Sequence, residues 1–387
     1  MKTRFISIIL VIPLLLSSCW EEEADHIQVP PNRTVLFYMA GDNSLGGETQ
    51  EKIDALAEAW NIGGDNHLLV YQDRGGKQSP RLLEIKTGTG DTGCTGDKGR
   101  IEVLEEYEEE NSASSRVFAR VLGDMATHYP GADYGLVMFS HGSGWLPEGT
   151  YSSVTRSVAM DGNREFDLQD FAGCIPQGQF RFIIFESCLM AGVEVAYELQ
   201  GKTDYILASS AEIVSPGFTP LYGKMLPLLY NHDPKREQFA GEYFNYYNSL
   251  ADDMRSATVS VIRPSGLAPL KGLLAQAERR IGHWGDVKRD DIQAFDRQST
   301  HLFYDLQGYL REIGTPQENQ TLAEILRQSV TYKASTESFM PSAAGGFQIE
   351  EHCGLTIYIP VISFEHTERY KKLNTQRKSL LLFSENQ

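Results

Sequence analysis

The sequence predicts an α/β protein with a mainly parallel central sheet flanked by helices and a more helical C-terminal portion. Two observations carry that expectation. Apolar runs at 34–40, 134–139, 180–185 and 204–209 read as strands buried on both faces of a parallel sheet. Segments with helical spacing separate them, and such alternation implies right-handed crossovers in a doubly wound sheet. With 387 residues the chain is long enough for a sizeable core.

The elements follow in order. Thr34 to Ala40 is the first strand, ending in Gly41-Asp42-Asn43, and a helix-like stretch runs from about Thr49 to Trp60. His67 to Gln72 is a second strand and Arg81 to Ile85 a third. The segment Ile101 to Glu110 carries Glu at 102, 105, 106, 108, 109 and 110 and reads as a solvated face. Residues 114–128 place Val117, Val121, Leu122 and Met125 on one helical stripe. The strand Tyr134 to Phe139 ends in Ser140-His141-Gly142-Ser143-Gly144-Trp145. The strand Phe180 to Phe185 ends in Glu186-Ser187-Cys188, a helix is expected over 189–200, and Asp204 to Ser209 is the last strand of this set. Beyond about Pro227 the pattern predicts helices at 235–250, 266–281, 289–312 and 320–334. A strand at 258–263 and a strand pair at 346–350 and 354–360 interrupt them. These readings divide the chain into 1–18, 19–33, 34–230 and 231–387. The boundary near 230 is soft, because the final strand pair can rejoin the main sheet.

Composition excludes several function classes. The chain holds 35 Lys and Arg against 52 Asp and Glu, a formal charge of −17. Nucleic acid is therefore a poor partner, since binding it needs a cationic face. Basic peptides are the better electrostatic match. Five Cys are too few for a disulfide scaffold, and the lack of any CxxC pair excludes a zinc ribbon or a thioredoxin site.

Residues 1–18 combine Lys2 and Arg4, an apolar run from Phe5 to Leu16 and Ser17-Ser18, the layout of a signal peptide. The run is shorter than the roughly 20 residues a membrane span needs. Leu16-Ser17-Ser18-Cys19 resembles the lipobox of bacterial lipoproteins, which implies Cys19 as the lipidated first mature residue and membrane contact through that lipid alone. Glu21-Glu22-Glu23 resembles the surface-export signal of some Gram-negative lipoproteins; a solvated acidic tether leading to Pro30-Pro31 is the alternative. The expected location is the cell envelope, anchored to the outer membrane.

In an open α/β sheet, ligands bind outside the carboxyl ends of the strands. His141 and Cys188 sit just past two such ends. A cysteine nucleophile acts as the thiolate and is helped by a nearby imidazole and a helix N-terminus. The expected helix directly after Cys188 supplies the second. Gly142 lets the backbone approach closely, so that amides can meet an oxyanion. The imidazole of His141 can carry the proton to a leaving amine. The bland alternatives are a core cysteine and a turn histidine.

Several stretches resemble the clostripain family of cysteine peptidases. They are Tyr38-Met39-Ala40-Gly41-Asp42-Asn43-Ser44-Leu45, Ser140 to Trp145, and Glu186-Ser187-Cys188-Leu189-Met190-Ala191-Gly192. To these add Ala208-Ser209-Ser210-Ala211-Glu212 with Pro216-Gly217-Phe218, and Gly354 to Pro360. The resemblance spans roughly residues 34 to 360. It implies a caspase-like fold, a His141/Cys188 dyad with Cys188 as nucleophile, and cleavage after Arg or Lys. The family commonly has Asp two residues before the nucleophile, in the pocket for the residue preceding the cut bond (P1). Here that position is Glu186, which keeps the charge and adds a methylene. Glu-x-Cys also resembles the legumain branch of the same fold, which prefers Asn at P1. Asp42 and Glu212, at two other strand ends, can supplement the pocket.

The resemblance also implies self-activation by cleavage in the loop between the dyad strands. Arg156 is the one Lys or Arg between His141 and Asp161. Some relatives depend on calcium, but Asp161-Gly162-Asn163 and Asp252-Asp253 lack the spacing of an EF-hand loop, and neither a metal nor any other cofactor is assigned. Cys94, Cys174 and Cys353 have no assigned chemistry; in an exported chain a pair among them can be bridged. Asp305 reads as structural. The expected activity is a secreted, lipid-anchored cysteine endopeptidase. A catalytically silent surface-binding relative is the alternative from another class. A serine hydrolase is disfavoured because no G-x-S-x-G elbow occurs.

Overall fold

The computed structural model describes residues 32–359 except 77, 89–97, 132, 147–157 and 283. Cys19, Cys94 and Arg156 lie outside the described residues, as do the signal segment and residues 19–31 of the tether, whose expected last residue, Arg33, instead opens the first strand.

Nine strands form one sheet: β1 (Arg33–Ala40), β2 (His67–Asp73), β3 (Arg81–Lys86), β4 (Arg100–Glu106), β5 (Asp133–Phe139), β6 (Phe180–Glu186), β7 (Thr203–Ala208), β8 (Thr258–Ile262) and β9 (Val330–Ser335). Their spatial order is β9-β8-β7-β6-β5-β1-β2-β3-β4. The five central strands, β2-β1-β5-β6-β7, are parallel, and antiparallel pairs extend both flanks. From β1 the chain winds outward to β2 on one side and returns to β5 on the other. The carboxyl ends of β1 and β5 therefore flank the topological switch point, where doubly wound sheets open a crevice.

All eight residues of β1 are buried, because helices cover both faces. Side chains alternate between the layers. Val35, Phe37 and Met39 pack with helices α1 (Gly46–Ala59), α5 (Tyr222–Leu229) and α6 (Arg236–Asn248). Leu36, Tyr38 and Ala40 join the core holding α2 (Ser115–His128), α3 (Leu168–Cys174), α4 (Val193–Glu198), α7 (Leu270–Glu278), α8 (Leu306–Ile313) and α9 (Pro316–Ser329). Capping fixes several starts: Ser114 accepts from the Val117 amide, Asp305 from the Gly308 amide, and Thr315 forms a capping box with Glu318.

The Glu-rich stretch after Ile101 is solvated as expected, and it forms an edge strand, β4, whose acids discourage edge-to-edge pairing. Three expectations change. The helix expected over 289–312 is confined to Leu306–Ile313. Upstream of it, the Asp296 carboxylate accepts from the amides of Gln298, Leu302 and Phe303, a loop arrangement that competes with helix. The closing strand pair does not rejoin the main sheet: Phe347–Gln348 pairs with Ser338–Phe339, and Thr356–Ile357 with Tyr304–Asp305. The sheet edge is taken instead by β9, where α9 gives way to Val330-Thr331-Tyr332, two of them β-branched. Finally, the helix after Cys188 begins only at Val193.

Candidate active site

That last difference shapes the surroundings of Cys188. Leu189 has φ +62, a strained conformation for a bulky residue, and its amide donates to the Ala211 carbonyl. The Ala191 amide donates to Ser209. Residues 188–192 thus cross the end of β7 as irregular chain, and no helix N-terminus lies at Cys188. The expected lowering of the thiol pKa is overturned with it. Burial, then the charge of Glu212, pushes Cys188 up to about 12, opposed by the Ile213 amide and by Arg297. The Ile213 amide donates to Cys188 Sγ at 3.4 Å.

His141 follows β5, and its Nε2 is 2.7 Å from Ser44 Oγ in the turn after β1. Burial lowers its pKa, with Glu48 pulling the other way. His141 and Cys188 line one cleft of about 490 Å³. Gly142 lies against residues 187 and 188: a β-carbon there would stand 2.7 Å from Ser187 Cβ and 3.1 Å from the Cys188 carbonyl oxygen. Glycine is what lets the two strand-end loops touch.

The pocket acids separate. Glu186 lines the cleft but is almost wholly buried, and its Oε1 takes Lys52 Nζ at 2.6 Å and the Phe218 amide at 2.6 Å. Glu212 also lines the cleft, paired with Arg297 Nη2 at 2.8 Å. Asp42 does not line it. Its carboxylate packs over Gly75, where a β-carbon would stand 1.7 Å from Oδ1, and it adds charge beside Asp161. The chain turns sharply after β1, which points Asp42 away from the cleft while the following Ser44, Leu45 and Glu48 face it.

Sequence reasoning missed Lys52, Glu48 and Arg297. Lys52 was detectable: with Thr49, Ile53 and Leu56 it falls on the buried stripe of α1, and a lysine there requires a buried acid. Cys174, Cys188 and Cys353 are free thiols. Asp305 caps α8 and accepts the Cys353 amide at 2.7 Å. Among the described residues no group of three or more His, Cys, Asp or Glu is placed to hold a metal, and no helix is long and apolar enough to cross a membrane.

Comparison with known proteins agrees with the geometry. The chain is similar to the X-ray structure of an inactive zymogen of a C11 protease from Parabacteroides distasonis, at 28% identity over 92% of this chain and 99% of that one, with a TM-score of 0.77. It is also similar to a secreted C11 cysteine protease from Bacteroides thetaiotaomicron solved with an irreversible peptide inhibitor: 25% identity, 91% and 99% coverage, TM-score 0.76. No match is found among curated proteins. The profile of the clostripain family matches residues 37–349, a span that contains His141 and Cys188, and the chain belongs to that family of cysteine peptidases.

Proposed function

We propose that the protein is an exported endopeptidase that cuts after Lys or Arg, with Cys188 as nucleophile and His141 as general acid/base. The observation that carries this reading is the cleft itself. It holds both groups, and Glu48, Glu186, Glu212 and Asp296 line it against one guanidinium, Arg297. In the reaction Cys188 Sγ attacks the peptide carbonyl and its proton passes to His141. The backbone amides at Gly142 and Cys188 meet the oxyanion. His141 then protonates the leaving amine, and water hydrolyses the thioester. Burial raises the Cys188 pKa and lowers that of His141, so the uncut chain disfavours the thiolate–imidazolium pair. That supports a precursor which cleavage after Arg156 activates. Lipidation at Cys19 would hold the enzyme at the outer membrane. One observation favours Asn at P1 instead: Glu186 already has a lysine for its partner.

Fluorogenic peptides with Arg, Lys or Asn at P1 test both readings. Lys and Arg peptides are expected to turn over and Asn peptides to lag, while Cys188→Ala abolishes all turnover and Arg156→Ala leaves the chain uncut on a denaturing gel. Equal turnover by Cys188→Ala would remove the nucleophile assignment, and faster Asn cleavage would replace the basic specificity.

A further inference from the structure

The acids of the cleft differ in what already binds them. Glu186 accepts from Lys52, the Phe218 amide and the Tyr222 hydroxyl, the last at 3.2 Å. Lys52 in turn donates to the Pro216 carbonyl at 3.1 Å and to Thr219 Oγ1 at 2.9 Å. An ammonium has three N–H bonds, and with Glu186 all three have acceptors. Glu212 is held by Arg297 through Nε and Nη2. Asp296 is held by three backbone amides.

Glu48 differs. Its Oε1 stands 3.5 Å from Lys52 Nζ, within reach of the charge but with no N–H left to receive. Its Oε2 accepts one hydroxyl, from Ser215 at 3.0 Å. The side chain is 16% exposed, whereas that of Glu186 is 1% exposed. Two glutamates thus share one lysine, so a negative charge remains; of the two, Glu48 carries the accessible lone pairs, while the charge of Glu212 is matched by Arg297, both of whose donors reach its Oε2. A cation arriving at Glu186 would meet a filled carboxylate with an ammonium already in place.

We propose that the carboxylate of Glu48, not that of Glu186, receives the Lys or Arg side chain of the peptide at P1. Glu186 and Lys52 form the rigid wall behind it. This rests on the basic specificity proposed above and assigns it to a residue on the first turn of α1.

The test compares each basic P1 residue with its uncharged isostere, lysine with norleucine and arginine with citrulline. The readout is the ratio of kcat/KM values within each variant, so a general loss of activity cancels. In Glu48→Gln the Lys/norleucine ratio should fall at least about tenfold, the loss of one charged hydrogen bond. Glu48→Asp should lower it less. In the double variant Lys52→Met/Glu186→Gln, which removes the buried pair as a unit, the ratio should stay within about threefold of wild type. An unchanged ratio in Glu48→Gln overturns the assignment and leaves the basic specificity standing. A wild-type ratio near one removes that specificity, and this assignment with it.

Discussion

Glu186 and Asp73 each close a strand of the same sheet, β6 and β2, and both carboxyls are buried. The fold treats them oppositely. Glu186 has a lysine, a backbone amide and a tyrosine hydroxyl, so burial pushes its pKa up while Lys52 pulls it back. At Asp73 the second charge is another acid. The carboxyl lies against Asp161, whose Oδ2 takes the amide and hydroxyl of Ser112, and burial together with that second acid pushes Asp73 up to about 7. On the cleft side α1 delivers a cation that opposes the effect of burial on the carboxyl. On the far side of β1 two acids titrate as a unit, and their common remedy is a proton. A buried anion at a strand end is therefore not by itself a substrate pocket.

Breaking the first arrangement should have the largest effect. Lys52→Met leaves Glu186 buried without its cation, which costs about 3–5 kcal/mol. The urea midpoint should fall accordingly, and Lys52→Met/Glu186→Gln should recover most of the loss. A single variant that melts with the wild type would show that the pair does not hold the wall.

The second arrangement predicts a pH dependence of definite sign. Asp73 stands at about 7 in the folded chain against about 3.9 when unfolded. Between those values the folded state holds a proton that the unfolded state lacks. Its contribution to stability is complete below about 4 and is lost as pH rises through about 7. Asp73→Asn should therefore stabilise the protein at pH 8, by about 1–3 kcal/mol, and flatten the decline between about pH 4 and 7. A wild-type stability that climbs with pH across that window would contradict the assignment.

What the sequence disclosed follows the same division. The parallel centre was legible because strands buried on both faces are apolar throughout, and His141 and Cys188 could be placed at strand ends without knowing any side-chain contact. The flanks were less legible. β4 is antiparallel and half solvated, so its glutamates masked its period. The 289–305 loop looks helical by composition and is held open by Asp296, a contact local patterning does not reveal. The pocket acids were the least legible, because which carboxylate is free depends on partners far away in the chain: Lys52 is 134 residues from Glu186 and Arg297 is 85 from Glu212. The helix assumed after Cys188 failed for a similar reason, since the carbonyls of Ser209 and Ala211 capture the Ala191 and Leu189 amides that would begin it.

The pair between Glu212 and Arg297 completes the contrast, since its side chains are 23% and 27% exposed. Water already solvates both groups in part, so breaking such a pair changes stability by at most about 1 kcal/mol. Its effect should fall on the thiol instead. Glu212 raises the Cys188 pKa and Arg297 lowers it. Glu212→Gln removes the first influence and leaves the second uncompensated, so both changes favour the thiolate. Alkylation of Cys188 by iodoacetamide at pH 8, corrected with Cys188→Ala for the other thiols, should run about threefold faster or more, equivalent to half a pKa unit. The wild-type rate should rise about tenfold per pH unit without a plateau below pH 10, because the group stands at about 12. A variant that alkylates at the wild-type rate would mean that the carboxylate exerts no field on the sulfur, and that this ion pair shapes the cleft wall alone.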